Sequence, residues 1–304
     1  MSKFVQQWQP LVAFSIKPGF HRQMAFACLA LLIVSFAGCS LTSIRPLNPL
    51  GLAIGIAVVL GAWLPVPLYW NEKGKMNLRD AALTIPWALL ITAFIRFPVA
   101  IAARLSAGIS LQDANLARWD RSLGVSVPGI VEWASHHWLG VLANKSYPFL
   151  DALLVISFLL AALTGKVKHA QQFLIANLVA FAIGIPLSAL VPAIGPWYAY
   201  HLPATPAQAD CQTIALLIRH PGAYVLPPDV LICFPSFHVI WAIFFACALW
   251  GFRLLRVPVA ILSGLIVVST LTTGWHYFSD VVAGILVAAV AIAVAKALNR
   301  QTTA

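Results

Sequence analysis

Apolar residues in this chain seldom alternate with polar ones; they run on. Uninterrupted stretches occur near Met24–Thr42, Pro49–Trp70, Ala81–Ala103, Tyr147–Leu163, Gln171–Ile194, Ser236–Phe252, Val257–Gly274 and Tyr277–Leu298. Runs of roughly 17–25 apolar residues are long enough to cross a bilayer as helices. Residues 104–146 break the pattern. There Asp113, Arg118, Asp120, Arg121, Glu132, His136 and His137 fall among Leu116, Trp119, Leu123, Val131, Trp133 and Trp138. Mixed three-and-four spacing with several tryptophans predicts short helices lying in the membrane interface. The expected fold is all-α, a polytopic membrane helical bundle of about eight transmembrane helices. It divides into an N-terminal pair within residues 1–80 and a second unit, 81–304.

Composition agrees: 61% of residues are hydrophobic and 9% charged, which excludes an ordinary soluble domain. The net charge of +10 does not point to nucleic acid, because the cations sit in short loops rather than in one patch. Of the nineteen lysines and arginines, Arg96 lies inside a span. Six, Arg45, Arg104, Arg118, Arg121, Lys145 and Arg219, fall on one side and the remaining twelve on the other. That bias puts both termini in the cytoplasm and the 104–146 helices on the outer face. Phe36-Ala37-Gly38-Cys39 is a poor lipoprotein cleavage box, so an uncleaved first helix is expected. Cys211 and Cys233 bracket the long outer loop, either as two thiols or as a disulfide holding that loop in place.

Candidate chemistry gathers at two span ends. Thr272-Thr273-Gly274-Trp275-His276-Tyr277-Phe278-Ser279-Asp280 places His276 and Asp280 one helical turn apart, on one face. A carboxylate so placed fixes the imidazole tautomer and leaves the other ring nitrogen basic. Phe234-Pro235-Ser236-Phe237-His238 reads as a helix start that brings His238 to the same surface. Ionisable groups at membrane depth are functional by default. Histidine, histidine and aspartate together suit phosphoryl transfer: His276 attacks phosphorus, Asp280 orients it, His238 protonates the leaving oxygen, and donors around Ser236 hold the remaining oxygens. Arg96 is either a phosphate ligand or a structural pin. The adjacent His136 and His137 point apart on a helix and read as a surface pair, so no metal site or cofactor is expected.

These stretches resemble the type 2 phosphatidic-acid-phosphatase superfamily over roughly residues 85–298. Pro235, Ser236 and His238 match its second motif, with Phe237 in place of glycine. Ser269, His276 and Asp280 match its third, with Thr270 where a phosphate-binding arginine belongs. The first motif, a lysine followed by Arg-Pro, is absent. Such a site would bind a phosphomonoester dianion poorly and a phosphodiester better. Gly195-Pro196-Trp197-Tyr198 and Trp119-Asp120-Arg121-Ser122-Leu123-Gly124 are similar to the inositol phosphorylceramide synthase branch. The resemblance implies a six-helix phosphatase-like core preceded by two added spans. It also implies an inositolphosphotransferase-like enzyme moving a phospho-head-group from a phospholipid to a lipid alcohol through a phosphohistidine. Trp197, Tyr198, Ser236, Arg96 and Arg219 are the candidate substrate contacts; Trp197 and Tyr198 read equally well as interfacial anchors. The alternatives are a lipid phosphate or pyrophosphate phosphatase, which an arginine from elsewhere (Arg96, Arg104 or Arg219) would favour, and a silent lipid-binding or transport protein. The expected location is a bacterial inner membrane with the site on the periplasmic face.

Overall fold

The computed structural model describes residues 19–63, 76–226 and 232–301. Lys3, Lys17, Lys73 and Lys75, which enter the charge count, lie outside them, as does the second expected span beyond Trp63. The fold is an all-α helical bundle, as the hydrophobic pattern predicts. In chain order the helices are α1 (Phe20–Thr42), α2 (Pro49–Trp63), α3 (Met76–Leu105), α4 (Asp113–Ser122), α5 (Val127–His136), α6 (Trp138–Ser146) and α7 (Leu150–Leu163). There follow α8 (Val167–Leu190), α9 (Pro196–Ala199), α10 (Pro206–Arg219), α11 (Phe237–Leu249), α12 (Arg256–Thr272) and α13 (Phe278–Gln301).

Five rods among the described residues are long and apolar enough to cross a membrane: α1, most of α3, α6 joined to α7, α8 and α13. Three further apolar helices, α2, α11 and α12, are shorter. The third rod corrects the sequence reading. It begins at Trp138, not Tyr147, because a single turn of 3-10 helix (Tyr147–Phe149) carries α6 into α7 without a break. The polar Asn144-Lys145-Ser146 interrupted the hydrophobic run, and the backbone stayed helical through it.

The outward faces of the rods are apolar: Phe26, Phe36 and Leu41 on α1, and Val155 and Ile156 on α7, stand exposed. A bundle greasy outside as well as inside is what a lipid surround selects. Its centre is built by α8 packing on α13, α11 and α3, with Phe173, Phe181, Phe237, Phe244 and a row of alanines interlocked. Small residues let helices approach closely. A Cβ on Gly284 of α13 would lie 2.7 Å from the Ser236 carbonyl oxygen, so only glycine allows α13 so near the start of α11. Gly184 of α8 likewise makes room for the Phe237 ring, 2.7 Å from where its own Cβ would be. That space, together with stacking on Phe181 at 5.2 Å, accommodates phenylalanine where the resembling motif carries glycine.

Of the short helices, α4 packs on α13 and α9, α5 on α6 and α12, and α10 on α3. Two three-residue strands, β1 (Ile44–Pro46) and β2 (Tyr224–Leu226), pair in parallel and join the α1–α2 turn to the loop after α10. Arg104 reinforces that loop by donating to the carbonyl oxygens of His220 and Gly222.

Candidate active site

Three helix ends converge. Ser236 caps α11, its Oγ accepting from the Val239 amide at 3.3 Å while its own amide donates to the Asp280 carbonyl at 3.1 Å. This is the helix start that Pro235-Ser236 predicted. The turn between α12 and α13 carries His276, and the first turn of α13 carries Asp280. His276 and Asp280 are fully buried, and His238 is half-buried.

His276 Nδ1 lies 3.3 Å from Asp280 Oδ2 and 3.0 Å from the Cys233 carbonyl oxygen. A carbonyl oxygen only accepts, so Nδ1 must carry the hydrogen, and Nε2 presents its lone pair. Nε2 faces His238 Nδ1 at 3.4 Å. Burial lowers the His276 imidazole to about 4, which keeps that lone pair available through neutral pH. Asp280 Oδ2 in turn accepts from the Tyr277 amide at 2.8 Å and from the Cys233 thiol at 3.3 Å. The expected proximity of His238, His276 and Asp280 is therefore present, together with an unexpected backbone acceptor from Cys233.

Cys233 also answers the disulfide question. It is not bonded to Cys211; its thiol is turned inward onto Asp280, and burial pushes it well above the ordinary cysteine range. Cys233 Sγ, His276 Nδ1 and Asp280 Oδ2 lie within 4.8 Å of one another, as metal ligands would. The Tyr277 N–H donates to Asp280 Oδ2 within the same cluster, while Asp280 Oδ1 is buried without a partner among the described residues.

The largest surprise is α4. Asp113 and Asp120, two turns apart on one face, are both buried. Asp120 takes the first two amides of α13, Phe278 N at 2.7 Å and Ser279 N at 2.9 Å, one on each oxygen. Helix N-termini leave such amides unpaired and favour negative charge. Asp113 accepts from Ile194 N, Gly195 N and the Tyr277 hydroxyl, the last at 3.0 Å. Burial raises its pKa, and the two backbone donors and Tyr277 oppose the rise. One short helix thus holds both the His276 turn and the turn leading to Trp197. The sequence carried a signal for this: the chain has only nine acids, and two of them stand seven apart beside the membrane.

Aromatic rings wall the site. Tyr147 stacks on His238 at 4.4 Å, with its hydroxyl 3.4 Å from His238 Nδ1, and also stacks on Trp275 at 6.0 Å. Trp197 meets Trp275 edge-on at 5.1 Å and is buried, with no acceptor for its Nε1 among the described residues. Tyr198, next in sequence, is exposed. Tyr147 was not singled out by motif because it lies at the join between two helices.

The arginines fall elsewhere. Arg219 donates to Ser106 Oγ and to the Ile109 carbonyl oxygen, so both its terminal nitrogens clamp the loop after α3. Arg96 lies over the Phe97 ring at 5.5 Å with its Nε buried and unpaired, and no hydrogen bond or ion pair among the described residues joins it to His238, His276 or Asp280. His136 and His137 are exposed, and His137 stacks on Trp133.

A family model for the PAP2 superfamily matches residues 114–294, well over half of the chain. The chain belongs to that superfamily. No curated protein and no solved structure matches it. Membership in the PAP2 superfamily suggests activity of the lipid phosphatase or phosphotransferase type. Where the superfamily motif has arginine, Thr270 is buried, its hydroxyl donating to the Val267 carbonyl and its own carbonyl accepting from the His276 amide. The position serves the turn's backbone and supplies no charge.

Proposed function

We propose that the protein is an integral membrane lipid phosphotransferase of the inositol phosphorylceramide synthase kind. It moves a phospho-head-group from a phospholipid to a lipid alcohol at the outer face of a bacterial inner membrane. The observation that carries this reading is the fixed tautomer of His276, with Nε2 free and aimed at His238.

Nε2 attacks the phosphodiester phosphorus and forms a P–N bond as the bond to the donor's alkoxide breaks; His238 gives that oxygen its proton. In the second half His238 takes the proton of the incoming lipid hydroxyl, whose oxygen displaces His276. Asp280 and the Cys233 carbonyl stabilise the positive imidazole formed in between. Reacting atoms come within about 3–3.5 Å before reaction, so phosphorus and leaving oxygen do not both fit in the present 3.4 Å gap. Substrate must therefore displace the His238 ring along the Tyr147 face on which it stacks. Trp197 Nε1, buried without an acceptor among the described residues, is a neutral donor suited to a singly charged phosphodiester.

The test is lipid mass spectrometry on wild type and His276→Ala in mixed phospholipids with phosphatidic acid, diacylglycerol and ceramide. A new head-group-bearing lipid that requires His276 establishes transfer. Dephosphorylated lipid with free phosphate makes the protein a phosphatase, and identical profiles sink the catalytic reading.

A further inference from the structure

The two faces of α4 do different things. Asp113 and Asp120 turn inward, whereas Arg118 and Arg121, one turn apart, are exposed. These arginines line a cavity of about 550 Å³ together with Leu111, Ala117, Tyr198 and His201. The volume falls within the roughly 300–1,000 Å³ of small-molecule sites. Among the described residues no carboxylate forms an ion pair with either arginine; Arg121 instead lies over the Tyr200 ring at 6.0 Å. Asp113 also borders the cavity, but its oxygens are taken by Ile194 N, Gly195 N and Tyr277. His201 closes the rim from a left-handed backbone conformation, φ 53°, that is uncommon for a residue with a side chain.

The cavity adjoins the candidate active site. Asp113 on its wall bonds the residue after His276, and Tyr198 follows the Trp197 that packs on Trp275. Two guanidinium groups on one helical face, with no carboxylate partner among the described residues and beside aromatic rings, are suited to bidentate recognition of phosphate oxygens. We infer that Arg118, Arg121 and His201 form an anion subsite, separate from the His276 centre, which takes the phosphate-bearing head group of a lipid. It would supply positive charge that the Thr270 position lacks. The inference rests on the proposed lipid activity for the ligand's class, but binding can be read without turnover.

The experiment uses the full-length protein in phosphatidylcholine nanodiscs, titrated with dihexanoyl-phosphatidylglycerol and followed by tryptophan fluorescence. Arg118→Gln/Arg121→Gln is expected to weaken binding about tenfold or more, as loss of two charge-assisted contacts implies. His276→Ala should bind like wild type while losing turnover, which separates failure of the subsite from failure of the catalytic reading. Competition by inorganic phosphate would mean that the anion alone is read; dependence on the arginines without such competition would mean that the whole lipid head group is. Equal affinity in the double variant overturns the inference. Should that variant not fold, wild type decides: its affinity for the anionic lipid must fall with added salt, and that for dihexanoyl-phosphatidylcholine must not. Salt-insensitive binding of both would equally overturn it.

Discussion

Replacing Asp120 with asparagine turns one oxygen into an amide nitrogen and leaves the side-chain shape alone. In the native structure each carboxylate oxygen accepts one amide of α13. Asparagine keeps one acceptor and sets its NH2 against the other N–H. The loss is one hydrogen bond to a charged group, about 1.5–3 kcal/mol. Negative charge at the helix start is lost as well, about 0.3–1 kcal/mol. Relief of carboxylate desolvation offsets part of this, which leaves about 2 kcal/mol. In a chain of this size that lowers the melting midpoint by about 3 °C. The effect on rate should be larger than the effect on stability, because Phe278 and Ser279 directly precede Asp280 and a shift of about 1 Å at the reacting atoms lowers a rate about 100-fold. Head-group transfer in nanodiscs should show kcat down by that order with KM little changed, and Asp120→Ala should be worse. Exposed Glu132→Gln is the control. If Asp120→Asn keeps kcat within about twofold and melts within about a degree of wild type, α4 does not hold the site and the argument fails.

Three further outcomes are expected. Burial lowers His276 from 6.5 to about 4, so the unfolded chain takes up this proton first as pH falls. The folded protein then loses about 3 kcal/mol between pH 6.5 and 4, all of it present above that window, and transfer activity dies away below about pH 4. A flat difference in melting between wild type and His276→Gln across that range would contradict this. Tyr277→Phe removes one of three donors to Asp113 and should cost about 1–2 kcal/mol by denaturant or thermal unfolding; no loss would mean that the hydroxyl bond is not formed. Gly184→Ala drives a methyl into the Phe237 ring and should cost about 1–3 kcal/mol, with Phe237→Leu restoring most of it in the double variant. Simple additivity of the two changes would show that the clash is absent.

The bundle and the polar triad were legible because both obey short-range rules. Apolar runs set the spans, and the four-residue step from His276 to Asp280 set a shared face. The partners that hold the triad in place were not, since each comes from far along the chain. The Cys233 carbonyl is a backbone atom whose residue type says nothing. Asp113 and Asp120 looked like the wet side of an interfacial helix, because burial of a carboxylate depends on amides more than 70 residues away. Arg219 drew notice as a cation and turned out to hold Ser106 and Ile109. The join at Tyr147 was hidden because three polar residues broke a hydropathy run without breaking the helix.

The β1–β2 pairing has a consequence for biogenesis. Ile44 lies opposite Tyr224, so the first strand leaves the ribosome 180 residues before its partner exists. At about 5–20 residues per second that is a wait of roughly ten to thirty seconds. During that time α1 and α2 can lean on α3 but have nothing to grip at the far end of the bundle. The segments made first are therefore among the last to be secured, and they are secured by the same loop that delivers Cys233 to His276. Completion of the bundle's edge and completion of its chemistry would be one event in the life of the chain.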